Sequence, residues 1–129
     1  MRLSERDFAN ILGGGAGKKP KGLKEVDIQN AQREYLEWNG WFVIRHQQSM
    51  GSHKGLSDLT AIKDGWTVYI EAKTITGILS EDQKDFRDHV ISHGGTYIIG
   101  RCVEDLKFLC EDSVECLRRR WSGKVVGQE

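Results

Sequence analysis

The chain has 129 residues, 38% of them hydrophobic and 29% charged, which suits one globular domain with its own core rather than a disordered chain. Its formal net charge is zero, which argues against a generic basic nucleic-acid binder. No apolar run approaches bilayer length, and the opening MRLSERDFAN is charged where a signal peptide is apolar, so the expectation is an intracellular, cytoplasmic protein.

The charge is unevenly spread. Residues 1–24 carry six basic and two acidic side chains, residues 25–117 nine basic and sixteen acidic, and Arg118, Arg119, Arg120 and Lys124 follow. Acids in the middle can hold a cation, and basic ends can hold phosphates. A solvated surface explains the same distribution. Cys102, Cys110 and Cys116 are odd in number and form no C-x-x-C pair, which points to reduced thiols rather than zinc ligands.

In chain order, residues 4–12 predict a short helix with Phe8, Ile11 and Leu12 on one face. Residues 13–22 hold five glycines and the only proline, and read as a linker. The sequence therefore divides into a helix and linker over 1–22, a folded unit over 23–110, and a C-terminal helix with a basic tail over 111–129. Residues 24–39 predict an amphipathic helix with Ile28, Ala31, Tyr35 and Leu36 as its stripe, stopped by Gly40.

Residues 41–48 read as a strand, 49–57 as a polar loop, and 58–63 as a second strand. Asp64–Gly65 is a hairpin turn, because both residues tolerate positive φ. It leads into a third strand over 66–74. Ser80 with Gln83 forms a capping box opening a helix that Gly94–Gly95 ends. Residues 96–101 give a fourth strand, and 103–121 a helix with a break near Glu111. A hairpin followed by a strand–helix–strand crossover predicts an α/β fold, a mixed sheet of about four strands flanked by helices.

The chemistry concentrates on this hairpin. Asp58 opens one strand and Glu71 lies on the next. Glu71 and Lys73 are two apart, so a strand points both to one face. Two carboxylates in a small cleft repel unless a cation joins them. Hard oxygen ligands select Mg2+, with Mn2+ as substitute. An ammonium beside them can orient a water and offset charge growing on phosphorus. A surface ion-pair cluster is the plain alternative. His53 and Lys54, with His46, Gln47 and Gln48, flank the loop before Asp58. They either touch phosphates or simply face solvent.

At these residues the chain resembles the PD-(D/E)XK nuclease superfamily, and within it the VRR-NUC branch. The matching pieces are Glu25, Ile28 and Gln29, then Gly55-Leu56-Ser57-Asp58 and Ile70-Glu71-Ala72-Lys73. Gly77 through Gln83 and Gly94-Gly95 before Tyr97-Ile98-Ile99 also match. Ser57 stands where the superfamily's name has proline. The resemblance spans roughly residues 24–107 and implies a restriction-endonuclease-like fold. It implies Asp58, Glu71, Lys73 and Gln83 as catalytic residues. It adds Glu25 and the Ala72 carbonyl to Asp58 and Glu71 as metal ligands, with Asp27 as an alternative to Glu25. For Gln83 the capping role stands beside the catalytic one.

The expected activity is metal-dependent hydrolysis of phosphodiester bonds in branched or structured DNA. The nearest comparison is a Holliday-junction resolvase acting as a homodimer, since a four-way junction takes two symmetric cuts. His53, Lys54, Lys18, Lys19 and Lys21 are expected along the DNA. Phe8, Ile11 and Leu12, or the aromatic C-terminal helix, are candidates for the dimer surface. A non-catalytic branched-DNA-binding module, a flap nuclease and a restriction-type nuclease are the alternatives. The last lacks room for a base-reading element.

Overall fold

A computed structural model describes residues 22–47 and 51–129. The predicted helix over 4–12, the linker, and Lys18, Lys19 and Lys21 lie outside the described residues.

Helix α1 (Glu25–Trp38) buries Ile28, Ala31, Gln32 and Leu36, the 3.6-residue spacing of one face. Gly40 follows it with φ +87°. Strands β1 (Phe42–Arg45), β2 (Leu59–Lys63) and β3 (Trp66–Ala72) form an antiparallel meander. The β2–β3 turn holds Asp64 at φ 49° and Gly65 at φ 80°, the mirror-image geometry that matches strand twist and that Asp-Gly adopts at low cost. Helix α2 (Glu81–Ser92) then crosses over to β4 (Thr96–Gly100), which lies parallel to β3. Ser80 Oγ accepts the Gln83 N–H at 3.2 Å, and Gln83 Oε1 accepts the Ser80 N–H at 2.9 Å.

Residues 103–121 split in two, as the break near Glu111 predicts. Val103–Cys110 is a 3-10 segment, and α3 spans Val114–Trp121. Ser113 Oγ caps α3 by accepting the Cys116 N–H. A fifth strand, β5 (Val125–Val126), extends the sheet parallel to β4 and gives the order β1-β2-β3-β4-β5. Two residues are too short to show a periodic signal, so this strand stood in the sequence as part of a basic tail.

The sheet has two covered faces. Leu59, Ala61, Val68, Ile70 and Ile98 pack against Leu36, Leu106, Leu109 and Leu117 from α1, the 3-10 segment and α3. On the other face Tyr69, Tyr97 and Ile99 pack against Phe86 and Val90 of α2. Strands buried on both sides explain why β4 is buried at all five positions. Trp121 of α3 stands 5.6 Å from Phe108, centroid to centroid, half-buried in its own core. Among the described residues, no helix is long and apolar enough to cross a membrane.

Candidate metal centre

The β2–β3 register pairs Leu59 with Ile70, so the next position sets Asp58 opposite Glu71 on one face. The His46 N–H donates to the Asp58 carbonyl at 2.8 Å and continues the ladder to β1. Asp58 Oδ2 accepts the Ala72 N–H at 2.9 Å. Asp58 is thereby fixed by the backbone of the strand that carries Glu71.

Glu25 completes the group. One carboxylate oxygen each from Glu25, Asp58 and Glu71 lies within 4.8 Å of the others. Among the described residues this is the one such cluster of three. The two acids at the start of α1 separate: Asp27 turns back to accept the Lys24 N–H at 3.3 Å and serves as a cap. Glu25, exposed at its own position, reaches the cluster.

Burial deepens across the three. Glu25 is exposed, Asp58 intermediate, and Glu71 fully buried at 0% exposure. Neither Glu71 oxygen has a hydrogen-bond partner among the described residues. Burial, then the neighbouring Asp58 carboxylate, pushes the Glu71 pKa up to about 10, against a smaller lowering by Lys73. The protein alone therefore keeps Glu71 protonated at neutral pH. Lys73 is 7% exposed, on the same strand face as Glu71. Its stem runs beside Gly77, where an added Cβ would stand 3.3 Å from Lys73 Cδ.

The surrounding loops are tied down by groups the sequence motifs contain. Gly55 has φ +73°, and a Cβ there would fall 2.0 Å from the Asp82 carbonyl oxygen. Only glycine lets the loop before Asp58 close on the first turn of α2. Ser57 is buried and donates its hydroxyl to the Leu59 carbonyl at 3.1 Å. After Lys73, Arg101 Nη1 donates to the carbonyls of Thr74 and Gly77 at 2.6 and 2.7 Å, and Nη2 donates to Gln128 at 3.0 Å. Sequence reasoning missed Arg101. Nothing in its neighbours distinguishes it from a surface arginine, because its partners are backbone carbonyls distant in the chain.

The remaining predicted residues divide. Gln83 caps α2, with its Oε1 engaged there. The Ala72 peptide meets the centre through its N–H. His53 is exposed, with its ring 5.6 Å from Phe86 and its Nδ1 2.9 Å from the Lys54 carbonyl. Lys54 is exposed on the same loop. The basic cluster of α3 lies elsewhere: Gly123 donates to the carbonyls of Gly94 and Gly95, so Arg118, Arg119 and Arg120 stand near the start of β4. Lys73 stands beside its end, donating its N–H to Gly100. Tyr97, which sequence reasoning used only as part of a strand, lies fully buried next to this centre.

This donor set could hold a divalent ion. Oxygens on opposite sides of a Mg2+ ion at 2.0–2.1 Å lie about 4.2 Å apart, the scale of the observed grouping. The two unpartnered oxygens of Glu71 are the groups a cation would satisfy. Comparisons with protein-family models, with curated proteins and with solved structures find no match for this chain.

Proposed function

We propose that the protein is a Mg2+-dependent endonuclease of the PD-(D/E)XK type that hydrolyses phosphodiester bonds in branched or structured DNA. The observation that carries this reading is the fully buried carboxyl group of Glu71, grouped with Asp58 and Glu25 beside a buried lysine. Burying a carboxyl group against two further acids is costly for stability alone. The cost is understandable where the group serves as a ligand.

In this reading Glu25, Asp58 and Glu71, with the backbone carbonyl of Ala72, would hold the ion. Mg2+, or Mn2+ in its place, supplies Lewis-acid polarisation of a phosphate oxygen and of the attacking water. Asp58 is oriented by the Ala72 N–H, which leaves its second oxygen for the ion. Lys73 keeps its ammonium at the same face. There it orients the water and offsets the negative charge that builds on the phosphate in the transition state. Gln83, at the start of α2, and His53 and Lys54, on the loop closed by Gly55, are the side chains this reading assigns to the DNA strand.

The proposal extends to a homodimer, since two symmetric cuts in a four-way junction call for two copies. Phe8, Ile11 and Leu12 lie outside the described residues, and Trp121 is engaged with Phe108.

The test is cleavage of a four-way junction, a flap and a linear duplex with Mg2+, with Mn2+ and with chelator. Metal-dependent cutting tied to the branch point is expected. One preferred sequence cut in random linear duplex would instead favour a restriction-type nuclease. Metal-independent junction binding without any cutting would reject the enzyme and favour a binding module.

A further inference from the structure

Tyr97 lies on β4, paired with Tyr69, while Glu71 pairs with Ile99 two positions on. Tyr97 and Glu71 therefore occupy the same sheet face on adjacent strands. Both are fully buried, at 0% exposure. The Tyr97 ring sits among Leu79, Phe86 and Ile99, an apolar setting that a phenylalanine would fill equally well. Its hydroxyl has no hydrogen-bond partner among the described residues, and the same holds for both oxygens of Glu71.

The hydroxyl shares this face with the Glu71 and Asp58 carboxylates. Of the charged groups acting on it, Glu71 comes first, then Asp58, with Arg87 opposing. Burial and these two acids push its pKa up, so the phenol stays protonated and available as a donor.

We propose that Tyr97 is a positioning residue of the carboxylate centre, donating its hydroxyl to one Glu71 oxygen and so presenting the other to the bound divalent cation. The inference rests on the metal reading given above. A ligating carboxylate that is itself hydrogen-bonded binds its ion in a fixed orientation, and loss of such a partner weakens affinity by about 10-fold or more.

The experiment measures Mn2+ binding by calorimetry, and the electron paramagnetic resonance spectrum of bound Mn2+, for the full chain and for Tyr97→Phe. Metal-free melting is recorded alongside. The expected result is about 10-fold weaker Mn2+ binding in Tyr97→Phe, with a metal-free melting temperature unchanged or raised. In a Glu71→Gln background, Tyr97→Phe should change Mn2+ affinity no further. Equal affinities for the parent and Tyr97→Phe would overturn the role of Tyr97 and leave the metal centre standing. Equal losses in both backgrounds would overturn it as well, since the effect would then bypass Glu71. A parent chain that binds no Mn2+ would overturn the metal centre and this inference together.

Discussion

Asp58 Oδ2 accepts the Ala72 N–H at 2.9 Å, so the acid of one strand is held by the backbone of the strand that carries its partner acid. The bond joins the hairpin register to the chemistry: a slip of one residue would turn Glu71 and Lys73 to the opposite face. In Asp58→Asn the side-chain oxygen can still accept this N–H. Folding should persist, with cleavage reduced by at least about 100-fold. Circular dichroism melts read alongside junction cleavage check both halves. A variant that unfolds would show that the carboxylate charge itself holds the hairpin.

Glu71→Gln separates ligand from scaffold. The buried side chain is already protonated at neutral pH in the metal-free protein, so a neutral isostere should leave its melting temperature unchanged or raise it. Mn2+ binding should weaken strongly while staying measurable, and cleavage should be lost. Retained cleavage would remove Glu71 from the metal site.

The pH dependence follows from the same group. Its pKa rises from 4.5 in the unfolded chain to about 10 in the fold. Between these values the folded protein holds a proton that the unfolded chain has released. Its contribution to stability is therefore complete below the lower value and declines as pH rises through the window. Divalent-ion binding at pH 7 should expel this proton. Calorimetric enthalpies measured in buffers of different ionisation enthalpy should give a slope near one proton released. A slope of zero would place the carboxylate already ionised.

Gly55→Ala should be among the more destabilising small substitutions. The added Cβ would fall 2.0 Å from the Asp82 carbonyl at a φ of +73°, a backbone clash in a conformation that L-residues avoid. A loss of about 2–4 kcal/mol is expected, seen as a melting temperature lower by roughly 10 °C. A smaller loss would mean that the loop before Asp58 can lift off α2.

Arg101→Ala removes donors to the carbonyls of Thr74, Gly77 and Gln128. The segment after Lys73 should lose hydrogen-exchange protection at residues 74–79, with a stability loss of about 1–3 kcal/mol. Unchanged exchange there would show that the Lys73–Gly77 packing holds the loop without the guanidinium.

Much of this architecture was legible in the residues. Periodicity placed α1, α2 and β2 to β4 because each buries a regular stripe, and Ser80, Gln83, Asp64 and Gly65 marked ends and turns through local chemistry. Convergence of Asp58 and Glu71 followed from the hairpin register. The burial of Glu71, the phenol of Tyr97 and the reach of Arg101 were not legible, since each depends on contacts between distant parts of the chain. The same holds for β5, whose two residues pair only because β4 is already in place. Between Glu25 and Asp27 the resemblance favoured Glu25, with Asp27 as its competitor. The structure separates them through the cap that Asp27 makes.

The short β5 also has a consequence for solubility. Without Val125 and Val126 the β4 segment TYIIG would present an open row of amides and carbonyls along an aliphatic ribbon, a template for pairing with other chains. Two valines, held in line by the bonds around Gly123 and Gln128, act as an edge guard. Trimming residues 124–129 should therefore show itself first as aggregation.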